Sequence, residues 1–115
     1  MTIRALVCGG RDYLDRAALY AALNDLHAAR PFAIVITGGA RGADTMAHEW
    51  AMAQGIQTKV YMAEWERLGR KGGPLRNQRM LNEGKPNLVV AFAGGRGTAN
   101  MVMQARGVGV EVIEI

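Results

Sequence analysis

Cysteine is nearly absent: Cys8 stands alone in 115 residues, so an internal disulfide framework is excluded. No Cys-x-x-Cys pair or Cys/His spacing suited to zinc occurs, and no metal is expected. No apolar run approaches the roughly 18 residues of a membrane span, and no signal peptide precedes the first apolar run at Ile3. A cytoplasmic protein without a membrane partner is therefore expected. Aromatics are also scarce, at 6%, which leaves little for an extended base-stacking surface.

What is plentiful is glycine. Its 15 residues are roughly double the average share of about 7%, and much of the excess falls in three short turns. With 50% of residues apolar and 21% charged, the chain reads as one globular domain, 1–115. A formal charge of +4 suits a nucleic acid, a small phosphorylated ligand or simple solubility.

Ile3 to Cys8 reads as a buried strand. Leu14 to Ala29 reads as a helix, with Leu19, Ala22, Leu23 and Leu26 at helical spacing. Phe32 to Thr37 is a second strand, and Ala43 to Gln54 a second helix ended by Gly55. Gln57 to Met62 is a third strand, less apolar and suited to a sheet edge. The segment 63–73 is polar and irregular. Pro74 suits the first turn of a third helix running to about Gly84, Leu88 to Phe92 is a fourth strand, Thr98 to Arg106 a fourth helix, and Val110 to Ile115 the last strand. This alternation predicts an α/β fold, a doubly wound parallel five-stranded sheet with helices on both faces. Right-handed crossovers bring every strand-to-helix turn to the carboxyl edge, where such sheets bind ligands near the reversal of strand order.

The three glycine turns lie at that edge: Cys8-Gly9-Gly10-Arg11-Asp12, Thr37-Gly38-Gly39-Ala40-Arg41-Gly42-Ala43-Asp44, and Ala93-Gly94-Gly95-Arg96-Gly97-Thr98. Bare N–H groups beside a helix N-terminus are how a backbone holds phosphate. Their convergence points to an anionic, nucleotide-like small molecule, although each glycine alone also suits a tight turn with φ > 0. Arg11, Arg41, Arg67, Arg70, Lys71, Arg76, Arg79 and Arg96 fall in or after turns of this edge. Asp12, Asp44, Glu64 and Glu66 sit among them, and the mixed sign favours a compact phosphate pocket over a nucleic-acid stripe.

Individual side chains carry two readings each. Arg11, Arg41 and Arg96 either clamp phosphate or stand in solvent. Thr37 and Thr98 add hydroxyl donors, or Thr98 caps its helix. Asp44 holds a ribose hydroxyl or complements the second helix's dipole, and His48, one turn on, is placed to touch it. Trp65 stacks on a base or anchors its segment to the core or a second subunit. Trp50 belongs to the core, His27 to solvent, and Cys8 is a small buried hydrophobe.

Four segments together resemble the YspA-type branch of the SLOG superfamily: 8–13, 37–44, Gly-Pro-Leu-Arg-Asn-Gln-Arg-Met at 73–80, and Gly-Gly-Arg-Gly-Thr-Ala-Asn-Met at 94–101. The resemblance spans almost the whole chain. It implies a Rossmann-like sheet of order 3-2-1-4-5 and binding of nucleotides or nucleotide-derived ligands. It adds weight to Arg76, Asn77 and Arg79 as residues recognising phosphate, ribose or a subunit, against a solvated face. The resemblance also favours a homodimer, since related Rossmann-like proteins of this group often pair. The related Lonely Guy phosphoribohydrolases carry a Pro-Gly-Gly-x-Gly-Thr turn with a catalytic glutamate after it. Here Ala93 replaces the proline, and Asn100 and Met101 stand where the acidic residues are expected. The DNA-processing protein A family is similar to Ala40-Arg41-Gly42-Ala43-Asp44, His48 and Arg76-Asn77-Gln78-Arg79, which keeps single-stranded nucleic acid as a partner class.

Three functions follow: a nucleotide-ligand binder or sensor, an N-glycosidic hydrolase of nucleoside monophosphates, and a single-strand binder. The first needs only the turns and cations, and is the reading adopted. The second lacks the expected glutamate, and Asp12, Asp44 or Glu64 would have to supply the carboxylate.

Overall fold

The computed structural model describes residues 2–115. Its strands are β1 (Ile3–Cys8), β2 (Phe32–Thr37), β3 (Gln57–Val60), β4 (Leu88–Ala91) and β5 (Glu111–Glu114). Its helices are α1 (Arg16–Ala29), α2 (Ala43–Ala53), α3 (Trp65–Leu68), α4 (Gly72–Gly84) and α5 (Arg96–Gly107), with a 3-10 turn at Gly69–Lys71. The strands form one parallel sheet in the order β3-β2-β1-β4-β5. This is the α/β Rossmann-like architecture that the strand–helix alternation and the resemblance imply.

The continuous apolar strands are explained by burial on both faces. Along β1, Ala5 and Val7 join Leu19, Leu23, Val35 and Trp50 in a core under α1 and α2. Leu6 and Cys8 point the other way, into a core with Ile36, Met80, Val89 and Met101 under α4 and α5. A period of two therefore feeds two separate cores, and neither face is left polar. Trp50 is 1% exposed, as expected of a core residue, and its indole N–H donates to Asn24 Oδ1 at 2.8 Å. Edge strands β3 and β5 hold only exposed and half-buried positions, and exposed Lys59 sits on the β3 edge.

Some elements differ from the sequence expectation. The segment 63–73 contains α3 and the 3-10 turn, since single turns leave no apolar period to read. Helix α4 starts at Gly72, two residues earlier than Pro74, which lies in its first turn as expected, where its missing N–H costs nothing. Helix α5 starts at Arg96, which makes Gly95 its N-cap and puts Thr98 inside the first turn. His27 is not solvated. Its Nδ1 accepts the Phe32 N–H at 2.9 Å, and its ring meets Phe32 and Trp50 edge-on, because the tight α1–β2 turn folds the chain back over it.

Position follows from this order. The chain leaves β1 for α1 on one face and β4 for α5 on the other. A crevice must open between their carboxyl ends, where strand order reverses.

Candidate functional site

The crevice at that reversal has a volume of about 1190 Å³, ample for a nucleotide. Its floor is a backbone junction. The Gly10 N–H donates to Ala93 O at 2.9 Å, and the Ala43 N–H donates to Gly10 O at 3.1 Å. The three glycine turns are thus tied to one another before any ligand is considered. A Cβ on Gly10 would stand 3.0 Å from Ala93 O, one on Gly94 2.7 Å from Gly10 N, and one on Gly9 2.6 Å from the Ala43 Cβ. At these positions glycine is required by turn-to-turn packing.

Gly95 and Gly97 are different, for a Cβ at either would meet nothing within 4 Å. They border open crevice, and they lie at the start of α5. Gly95 is the N-cap and no side chain caps the helix, so the N–H groups of Arg96, Gly97 and Thr98 have no intrahelical acceptor. The starts of the helices that follow the other two glycine turns are at least partly engaged. Asp15 caps α1 through the Ala18 N–H at 3.0 Å, and the Gly10 carbonyl meets the first N–H of α2. Only the last of the three glycine turns therefore combines open space with free helical N–H groups.

Among the residues expected at the site, Gly9, Gly10, Arg11, Asp12, Gly38, Asp44, Arg76, Asn77, Gly94, Gly95, Arg96, Gly97 and Thr98 line the crevice. Gly39, Arg41, Gly42 and Arg79 do not. Gly39 has φ +71° and faces Val60 and Met62, and Gly42 lies beneath the Gly10–Arg11 backbone. Arg41 pairs with Asp12 at 3.1 Å on the outer rim, where both side chains are at least 75% exposed and the pair adds little stability. Arg79 lies over the Tyr61 ring and pairs with Glu83 at 3.1 Å. Of the eight cations expected along the edge, Arg11, Arg70, Arg76 and Arg96 reach the crevice, facing Asp12, Asp15 and Asp44.

Arg76 and Asn77 serve as braces. Arg76 Nη1 donates to Gly38 O at 2.6 Å and its Nε to Asn77 Oδ1 at 2.9 Å, and burial lowers its guanidinium pKa. Asn77 is buried and donates to both Gly97 O and Asn100 Oδ1 at 3.1 Å. Gln104 Nε2 donates to the same Asn100 oxygen at 2.7 Å. A chain of amides thus fixes α5 against α4, and Met101 is fully buried in the core.

Asp44 is 5% exposed at the crevice wall. Burial pushes its carboxyl up to about 6, against the pull of the Ala40 N–H, the Arg76 guanidinium and the Gly38 N–H. Its Oδ2 accepts from the Ala40 N–H at 3.2 Å, while His48 Nδ1 is buried without a partner, so the expected Asp44–His48 contact is not made. Burial likewise pushes the Cys8 thiol up to about 12, so Cys8 is a packed hydrophobe and no nucleophile at neutral pH.

The Asp44 environment carries a stability prediction. Its carboxyl pKa is higher folded (about 6) than the ordinary 3.8, so the protonated form favours the fold. That contribution is complete below pH 3.8 and is lost as pH rises through about 6. Asp44→Asn should therefore gain stability over the wild type as pH rises from about 4 to about 7.5, by up to about 3 kcal/mol. Denaturant melts of both proteins across this range check it, and a pH-independent difference would contradict it.

Sequence reasoning gave no site role to Tyr13, Leu14, Asp15, Gly73, Pro74 and Met80, which also line the crevice. Leu14 and Asp15 lie outside every motif of the sequence, and the others are marked only by belonging to the segments 8–13 and 73–80. Trp65, exposed by 45%, does line the crevice. Among the described residues no helix is long and apolar enough to cross a membrane.

Comparison with known proteins agrees with this architecture. A family model described as "YspA, cpYpsA-related SLOG family" matches residues 3–68, from β1 through α3 and so across the first two glycine turns. Gene 61 protein of Mycobacterium phage D29 is 36% identical over 118 residues, covering 96% of this chain and 94% of that protein. This chain belongs to the YspA, cpYpsA-related SLOG family.

Proposed function

We propose that the protein binds a nucleotide or nucleotide-derived phosphorylated ligand in the crevice between the carboxyl ends of β1 and β4. The observation that carries this reading is the uncapped α5 N-terminus at Gly95–Thr98, which borders open crevice beside Arg96. A phosphate there would take the free N–H groups of Arg96, Gly97 and Thr98 and meet the positive end of the helix dipole. The Thr98 hydroxyl and the Arg96 guanidinium add donors. Family membership supports the same ligand class.

The proposal includes a cytoplasmic protein that acts as a binder or sensor and pairs with a second copy. Exposed Val60 at the end of the β3 edge strand and Met62 just after it suit such a contact. Native mass spectrometry of the freshly purified protein tests both points. A co-purified nucleotide, or a mass increase on adding AMP, ADP-ribose or cyclic nucleotides, is expected on a dimer. A protein that stays empty throughout would remove the reading.

A second reading, an N-glycosidic phosphoribohydrolase, draws on one observation. Asp44 is the buried carboxyl of the crevice, and ribosyl cation development calls for a carboxylate beside the anomeric carbon. The other substitutes fit less well, since Glu64 lies outside the crevice, paired with Arg67, and Asp12 is paired on the rim. Release of adenine from AMP that disappears in Asp44→Asn supports it, and no release ends it. Single-stranded nucleic acid draws less support, because the crevice cations form a pocket among aspartates and no stripe.

A further inference from the structure

Trp65 is the exposed aromatic whose surroundings are hardest to explain by packing. It stands on α3 above the start of α4, where two consecutive glycines receive it. A Cβ on Gly73 would lie 2.8 Å from the indole Cη2, and one on Gly72 3.3 Å from its Cε3. The indole therefore rests against bare backbone, yet the residue remains 45% exposed and lines the crevice. An aromatic anchoring its own segment would be expected to hide its ring.

What covers the ring is Arg11. Its Cζ lies 5.2 Å above the indole centroid, and among the described residues its guanidinium makes no hydrogen bond or ion pair with any other group. A cation–π contact at an exposed site is weak, roughly 0.5–1 kcal/mol, so this lid is easily moved. Stacking on a planar base is worth more, and every base has a π-face. Both partners line the same crevice as the open α5 N-terminus.

We propose that Trp65 is the base platform of this crevice and that Arg11 is its displaceable cover. Resting on the reading of the site as a nucleotide pocket, the inference adds that its ligand carries an aromatic base. A sugar phosphate alone would leave Arg11 on the indole. A nucleotide would displace Arg11, stack on the ring and release the guanidinium into the crevice.

Tryptophan fluorescence tests this directly, because the other tryptophan, Trp50, is 1% exposed in the core under α1 and α2. AMP, GMP and ADP-ribose are titrated beside ribose 5-phosphate, with affinities taken from calorimetry and contact with the ring from the emission. At least one base-bearing probe should quench the emission and bind about 10-fold more tightly than ribose 5-phosphate. Trp65→Leu should remove that advantage, about 10-fold, while leaving ribose 5-phosphate affinity unchanged, and Trp65→Phe should restore most of it. Arg11→Ala should alter emission of the free protein and leave the quenching in place. Ribose 5-phosphate binding as tightly as the nucleotides, or nucleotide binding unchanged in Trp65→Leu, would overturn the platform and spare the phosphate site. Binding of none of the four probes would overturn the nucleotide pocket and the platform together.

Discussion

Gly42→Ala should lower the midpoint of thermal unfolding by roughly 10–20 °C, the shift a loss of about 3–5 kcal/mol gives in a domain of this size. Two effects add at this position. Gly42 has φ 80° and ψ −128°, a region that residues with a Cβ essentially do not enter. A Cβ there would also stand 2.6 Å from Arg11 O and still closer to Gly10 O. Both obstacles are backbone, so no side chain can swing aside. The same carbonyl of Gly10 accepts the Ala43 N–H at 3.1 Å, and pushing it away uncaps α2 as well. Differential scanning fluorimetry reads the outcome. A midpoint lowered by less than about 3 °C would mean that the junction between the turns is far softer than described.

Gly97→Asp should have the opposite character, with stability kept and ligand binding lost. Gly97 is the second residue of α5, and a Cβ there meets nothing within 4 Å. An acidic side chain in the first turn of a helix complements the dipole, and replacing a glycine there lowers the entropy lost on folding. Unfolding should therefore shift by only a few tenths of a kcal/mol, toward greater stability. The carboxylate would occupy the N–H groups offered to phosphate and repel the incoming anion. Two like charges about 5 Å apart at an effective dielectric near 20 feel about 3 kcal/mol, so affinity for a phosphorylated ligand should fall of order 100-fold. Calorimetric titration beside a melting curve separates the two effects. A variant that melts like the wild type and binds AMP as well would place the phosphate elsewhere.

These two glycines show where sequence reading succeeds and where it stops. The strand–glycine–helix pattern locates all three turns at one edge, because apolar strands and helical spacing are local properties. Which glycines serve packing and which border open space depends on neighbours far along the chain. Gly94 meets Gly10, and Gly38 carries Arg76 against its carbonyl, a contact across 38 positions. Arg76 and Asn77 illustrate the same limit. Their motif marks them, but the amide contacts from Asn77 to Gly97 and Asn100 exist only once α4 packs on α5. His27 read as solvated because its bond to the Phe32 N–H depends on the turn between them. Trp65 was visible as an aromatic at the sheet edge, whereas its seat on Gly72–Gly73 and its cover by Arg11 required the fold.

The most direct measurement is a 1H–15N correlation spectrum of the labelled protein, titrated with nucleotides and nucleotide-derived phosphates. The free N–H groups at the start of α5 are the claim itself, and each gives its own signal. The amides of Arg96, Gly97 and Thr98 should show the largest shifts, saturating with ligand, and those of Gly97→Asp should show none. Shifts centred away from the crevice, or a spectrum unmoved by every member of the panel, would contradict a phosphate site at the α5 N-terminus.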